Sequence, residues 1–97
     1  MIKTICVSAG IIRNPKGEIL IGRRQSGGSC GELWEFPGGK QEPGETPGEC
    51  LIRECQEELG CTPAFEKTPC ATITHTYPDV RVHLIFFNGT LPLEDNV

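Results

Sequence analysis

The sequence lacks a long uninterrupted apolar run and a surplus of basic residues. Lys and Arg number 9 against 13 Asp and Glu, so the formal net charge is -4. No stretch reaches membrane-spanning length, and a mildly acidic field weighs against direct binding of a nucleic acid backbone. The amino-terminal MIKTICVSAGII is interrupted by polar residues and lacks a basic leader, so we expect no secretory signal and predict a cytoplasmic protein.

Paired cysteines at metal-binding or redox spacing are also missing. The chain has six cysteines but no C-x-x-C pair, and nothing marks secretion, so we interpret them as reduced thiols that pack as small apolar groups. A length of 97 residues predicts one domain spanning 1–97. The six are Cys6, Cys30, Cys50, Cys55, Cys61 and Cys70.

Alternating apolar positions predict several short strands. Residues 2–12 alternate and end at the turn-forming NPKG, after which EILIGR is predicted to pair with the first strand. QSGGSCGE is typical of a surface loop, LWEF of a short strand that ends at Pro-Gly-Gly, and the segments ATITHTY and VRVHLIFF of a hairpin turning at Pro78-Asp79.

One helix is predicted over Pro47–Leu59. Thr46 and Glu49 form a T-x-x-E capping box, proline suits the first helical position, and Gly60 supplies the stop. The helical period predicts one apolar face of Leu51, Ile52, Cys55 and Leu59, which we assign to the core.

The opposite face of this helix gathers three like charges, Glu54, Glu57 and Glu58. Repulsion at these spacings, near a helix end that disfavours anions, destabilises an isolated helix. One interpretation is a solvated acidic face. The other is a site for a hard divalent cation, which prefers clustered carboxylate oxygens and leaves room for substrate phosphates.

A wider pattern favours the cation. Residues 39–61 fit G-x5-E-x7-R-E-U-x-E-E-x-G-U, where U is a bulky aliphatic residue, except that Cys55 and Cys61 occupy the two U sites. The pattern resembles the Nudix box, and WEFPGGK together with Arg23-Arg24 is similar to the MutT-type branch. The resemblance implies an α/β Nudix fold, in which a mixed β-sheet lies between helices. The matching fixed positions are Gly39, Glu45, Arg53, Glu54, Glu57, Glu58 and Gly60.

The resemblance also implies roles for the acidic residues. Glu57 and Glu58 are expected to bind Mg²⁺, for which Mn²⁺ could substitute, and Glu54 is a third ligand or the base that orients water. A backbone carbonyl near Gly38 is expected on the metal. Glu94 is a candidate ligand from a later loop. Arg53 is expected to hold a carboxylate in place, with Glu45 as a structural partner.

For substrate, the resemblance implies a nucleotide pocket with Arg24, Glu35, Phe36, Pro37 and Gly38. The expected reaction is hydrolysis of a nucleoside triphosphate to the monophosphate and pyrophosphate, with 8-oxo-dGTP as the first-choice substrate and mutation avoidance as its purpose. Alternatives are an enzyme acting on CTP or another nucleoside diphosphate derivative, a non-catalytic nucleotide-binding module, and an acidic structural protein.

The carboxyl end departs from the resemblance. MutT-like domains normally continue through a further strand and helix. We therefore expect this chain, which ends at Val97, to lack that strand and helix. A missing helix would leave one side of the sheet uncovered, which a second copy of the chain could cover as a homodimer.

Overall fold

The computed structural model describes residues 2–23 and 34–91. Within them, one helix, α1, spans Pro47–Leu59. The strands are β1 (Lys3–Arg13), β2 (Gly22–Arg23), β3 (Trp34–Glu35), β4 (Gly38–Lys40), β5 (Ala64–Phe65), β6 (Ala71–Thr76) and β7 (Val80–Thr90). The arrangement confirms the α/β class with a mixed sheet.

The main sheet is built around two long parallel strands. β1 and β7 pair in parallel over 11 residues each, and the order β4-β1-β7-β5 is completed by β6, which pairs antiparallel with β7. The predicted hairpin is thereby confirmed, with the amide of Tyr77 donating to the carbonyl of Val80 at 2.7 Å. Parallel strands need a long connection, and in this chain that connection carries β4 and α1.

The two faces of this sheet are covered differently. Because side chains alternate, β1 and β7 place one set of residues under α1 and the other set on the opposite face. The set under α1 forms the core cluster of Ile12, Ile85 and Phe87 with Leu51 and Cys55 of the helix. The opposite face carries Val7, Ala9, Leu84 and Phe86, and the described residues place no helix on it.

The helix begins and ends as predicted. Thr46 Oγ1 accepts from the Glu49 amide at 3.1 Å, the Glu49 carboxylate accepts from the Thr46 amide at 3.0 Å, and Gly60 ends the helix at a φ of 72°. α1 contacts β1 and β4. The side of the helix that faces these two strands is therefore buried.

The predicted apolar face of the helix was partly wrong. Cys50, Leu51 and Cys55 are fully buried, whereas Ile52 and Leu59 are 38% and 37% exposed. The helix therefore rests on the sheet along a stripe rotated toward the glutamates. The rotation brings the small Cys50 inside, where close contact with β4 has room only for a short side chain.

Two short strands also differ from prediction. EILIGR was expected to pair with β1, but only an isolated bridge joins Ile19 to Arg13, and β2 pairs with β3 instead. The LWEF strand ends before Pro37-Gly38-Gly39 as predicted, but Gly38–Lys40 then forms a further strand, β4, which pairs with β1 and was not predicted. As for membrane crossing, α1 of the described segments is too short and too polar to serve as a span.

Candidate active site

The site is built where β4 runs beneath α1, and two glycines allow the approach. A Cβ on Gly38, whose φ is 150°, would overlap the carbonyl oxygen of Ser8. A Cβ on Gly39 would overlap the carboxyl group of Glu54, with 2.5 Å to Glu54 Oε2. Only backbone without side chains can therefore lie this close to the helix carboxylates.

Glu54 and Glu58 lie one helical turn apart and face the same strand. Gly38 donates its amide N–H to Glu58 Oε1 at 3.4 Å, and the Glu54 carboxyl lies against Gly39, so both carboxyl groups are held close to β4. Although Glu58 has an exposed side chain overall, desolvation of its carboxyl raises its pKa, and the nearby charges of Glu54 and Glu35 add to the rise. The pair is therefore a concentrated negative charge that no described cation offsets at Glu58 itself.

Arg53 joins the helix to the preceding loop. Its guanidinium donates to both oxygens of Glu45, at 2.6 Å and 3.1 Å, and to Glu54 Oε2 at 3.1 Å. The guanidinium also donates a hydrogen bond to the carbonyl of Lys40 in β4, at 3.2 Å. The hydrogen bond from Arg53 lowers the pKa of Glu45, so that carboxylate stays ionised. Arg53 thus links Glu54 to Glu45 and to β4 through one guanidinium group.

Glu57 lies further out than the other two carboxylates. Its side chain is 60% exposed, and its oxygens are 3.5 Å from Arg53 Nη1. Across residues 2–23 and 34–91, no three acidic, cysteine or histidine side chains are gathered tightly enough to form a ready metal cage. The structure therefore brings Glu54 and Glu58 together and leaves Glu57 on the solvent side of Arg53.

This donor set fits a divalent cation of the magnesium type. Mg²⁺ is usually held by one or two carboxylates, keeps several waters, and takes further oxygens from substrate phosphates. Glu54 and Glu58 supply two carboxylates whose mutual repulsion a cation would relieve, and the missing side chain of Gly39 lets the Glu54 carboxyl lie directly against β4.

A cavity of about 550 Å³ opens beside the carboxylates, on the face of the sheet away from α1. Its floor is made by β1 and β7, and Glu35 and Phe36 form one wall. Phe36 is 38% exposed and meets the ring of Phe86 edge-on, with ring centres 6.1 Å apart at 84°. The size is within the range of small-ligand pockets. The full lining comprises Val7, Ser8, Ala9, Ile21, Glu35, Phe36, Gly38, Gly39, Lys40, Leu84 and Phe86.

Of the remaining predicted site residues, one lies within the described part of the chain and two lie outside it. Pro37 is buried, and its carbonyl accepts from the Gly10 amide at 2.9 Å, so it anchors the wall of the cavity to β1. Arg24, predicted to bind substrate, and Glu94, predicted as a metal ligand, lie outside the described residues.

Sequence reasoning missed the residues that fix α1 over β4. Ser8 is fully buried and donates its hydroxyl to the carbonyl of Pro47 at 2.9 Å, while the Cys50 thiol lies 3.4 Å from the carbonyl of Gly39. Desolvation raises the pKa of Cys50, so it stays a neutral thiol. Missed as well were Leu84 and Phe86 in the cavity, although the alternation of VRVHLIFF already places them on one face.

Comparison with known families agrees with this geometry. The profile of the NUDIX domain matches residues 8–96. The 8-oxo-dGTP diphosphatase of Proteus vulgaris is 39% identical over 88 residues, covering 88% of this chain and 75% of that protein. The Escherichia coli K12 enzyme of the same name is 42% identical over 89 residues, covering 88% of this chain and 65% of that protein.

A relative named for a different activity is also similar to this chain. The CTP pyrophosphohydrolase of Escherichia coli K12 is 46% identical over 101 aligned residues, covering 97% of this chain and 72% of that protein. Among solved structures, the MutT protein from Methanosarcina mazei Go1 superposes with a TM-score of 0.82 at 29% identity, covering 96% of this chain and 68% of that one. The chain thus spans about two thirds to three quarters of each of these four proteins.

Proposed function

Because this chain belongs to the Nudix domain family, we propose that it hydrolyses a nucleoside triphosphate to the monophosphate and pyrophosphate. The observation that carries the proposal is the pairing of Glu54 and Glu58 beside the bare backbone of Gly38 and Gly39. Gly38 and Gly39 also line a cavity of about 550 Å³, which is within the range of small-ligand pockets. We therefore propose that the phosphates react at the carboxylates and that the base binds in the adjacent cavity.

Nudix hydrolases in general need a divalent cation, and we propose Mg²⁺, with Mn²⁺ as a substitute. Such an ion supplies charge neutralisation at phosphorus and lowers the pKa of water. Glu58 is the proposed ligand that the geometry supports best, because it faces β4 at Gly38. The carbonyl of Gly38 and the more exposed Glu57 are further proposed ligands. Glu54 is a third ligand or the group that orients the attacking water, and Glu94 stays a predicted additional ligand.

The chain's own residues have distinct tasks in this proposal. Arg53 is a positioning residue that holds the Glu54 carboxylate by a hydrogen bond to its Oε2, with Glu45 as its structural anchor. Glu54 is proposed to orient the attacking water and to accept its proton, while Arg53 holds its Oε2 by a charge-assisted hydrogen bond at 3.1 Å. Phe36 offers a ring face at the cavity for a base to stack on.

For the substrate we propose 8-oxo-dGTP first, on the strength of the two diphosphatase relatives. Hydrolysing this nucleotide would remove an oxidised base before DNA synthesis and so avoid mutation. Glu35, Phe36, Pro37 and Gly38 are the proposed binding segment, together with Arg24.

CTP is the second candidate. The CTP pyrophosphohydrolase of Escherichia coli covers more of this chain, and at higher identity, than either diphosphatase described above. A single hydrolase domain over 1–97, a cytoplasmic location and a homodimer remain predictions from the sequence.

Product analysis tests the reaction. The chain is incubated with 8-oxo-dGTP, dGTP or CTP and Mg²⁺, and products are separated by ion exchange; we expect the nucleoside monophosphate and pyrophosphate from at least one of them, and none in EDTA. Release of the nucleoside diphosphate and phosphate, or no product from any of the three, would contradict the proposal. Glu58→Gln keeps an acceptor for the Gly38 amide yet loses the charge, so it should be inactive. Glu66→Gln, an exposed glutamate after β5, is the matched control and should keep full activity.

A further inference from the structure

Phe86 occupies a distinctive position on the floor of the cavity. In the parallel pairing of β1 with β7 it lies opposite Ala9, and Leu84 lies opposite Val7 on the same face. The next residue, Phe87, points to the other face and is 4% exposed in the core under α1. Two adjacent phenylalanines thus serve opposite faces of one strand.

The ring of Phe86 is the aromatic contact of Phe36. The two rings meet edge to face, the geometry favoured by their quadrupoles. Phe36 itself stands just after the two-residue strand β3 and is 38% exposed, so little else of its own element holds its ring. Beside Phe86, the small side chain of Ala9 also lines the cavity.

From this contact we propose that Phe86 is a positioning residue that sets base preference by holding the Phe36 ring in a stacking orientation. This inference rests on the proposed function. A purine overlaps a fixed ring over more area than a pyrimidine does, so loss of the orientation weakens purine binding more than pyrimidine binding. Phe86 acts through Phe36 and does not touch the reacting phosphates.

Binding of the product dGMP tests the inference without any turnover, since dGMP is not hydrolysed. Calorimetry would compare dGMP with CMP for wild type, Phe86→Leu, Phe86→Tyr and Phe87→Leu. We expect Phe86→Leu to bind dGMP about five- to tenfold more weakly, with a smaller loss for CMP. Phe86→Tyr keeps the ring and should restore dGMP binding. Phe87→Leu should lower the melting temperature but leave dGMP affinity within about twofold.

A double-mutant cycle separates positioning from general damage to the fold. If Phe86 acts through Phe36, then Phe86→Leu adds no further loss of dGMP binding in a Phe36→Leu background. Full additivity, equal losses for dGMP and CMP, or a Phe86→Leu affinity within about twofold of wild type would each overturn the inference. Turnover of dGTP by the wild type is scored separately, so failure of the proposed reaction is distinguishable from failure of this role.

Discussion

Replacing Gly39 by alanine should disable the site while leaving the fold intact. The new Cβ would lie 2.5 Å from Glu54 Oε2, and ordinary van der Waals contact begins at 3.4 Å, so the carboxylate has to retreat by about 0.9 Å. A misplacement of about 1 Å at a reacting group costs on the order of a hundredfold in rate. We therefore expect kcat for dGTP hydrolysis to fall by roughly a hundredfold.

Gly48→Ala is the matched control. Gly48 lies in the first turn of α1, and a Cβ there meets nothing within 4 Å. Alanine in a helix is favoured over glycine by about 0.4–1 kcal/mol, so this variant should melt slightly higher and keep its kcat. The assay is pyrophosphate release with excess Mg²⁺, and far-ultraviolet circular dichroism checks that both variants are folded. A folded Gly39→Ala protein with kcat within about threefold of wild type would refute the placement of Glu54.

Three further predictions concern stability. Thr46→Ala removes the capping hydroxyl and should lower the free energy of unfolding by about 1 kcal/mol in urea titrations; no change would contradict the capping box. Leu51→Ala should cost about 2–5 kcal/mol by the same titration, and the half-exposed Ile52→Ala clearly less, whereas equal losses would contradict the rotated stripe. Because Arg53 lowers the folded-state pKa of Glu45, the stabilisation from their bond is present above the ordinary pKa of 4.5 and is lost as pH falls below it. Melting temperatures from about pH 6 to about pH 3 should therefore fall less steeply in Glu45→Gln than in wild type, and parallel curves would argue against this pair.

The helix and the hairpin could be predicted because their signals are local. Thr46, Glu49 and Gly60 cap the helix through bonds within a few residues, and Pro78-Asp79 turns the chain between two alternating segments. The family resemblance likewise depends on spacing along one segment, residues 39–61. Neither requires knowledge of distant contacts.

The missed features depend on packing between distant elements. Helical periodicity gives the width of an apolar stripe but not its rotation on the sheet, so Ile52 was assigned to the core in place of Cys50. The contact of Ser8 with Pro47 spans 39 residues, and that of Phe36 with Phe86 joins the segment between β3 and β4 to the distant strand β7. Sequence separation of this size leaves no periodic signal to read.

One measurement tests most directly whether the helix carboxylates and a divalent cation together cleave the triphosphate. Initial rates of pyrophosphate release from 8-oxo-dGTP, dGTP and CTP would be measured with Mg²⁺ and with EDTA, for wild type and for Glu57→Gln combined with Glu58→Gln. We expect Mg²⁺-dependent release by the wild type on at least one of the three, and its collapse in the double variant. Release that persists in EDTA, or that survives both substitutions, would contradict the account.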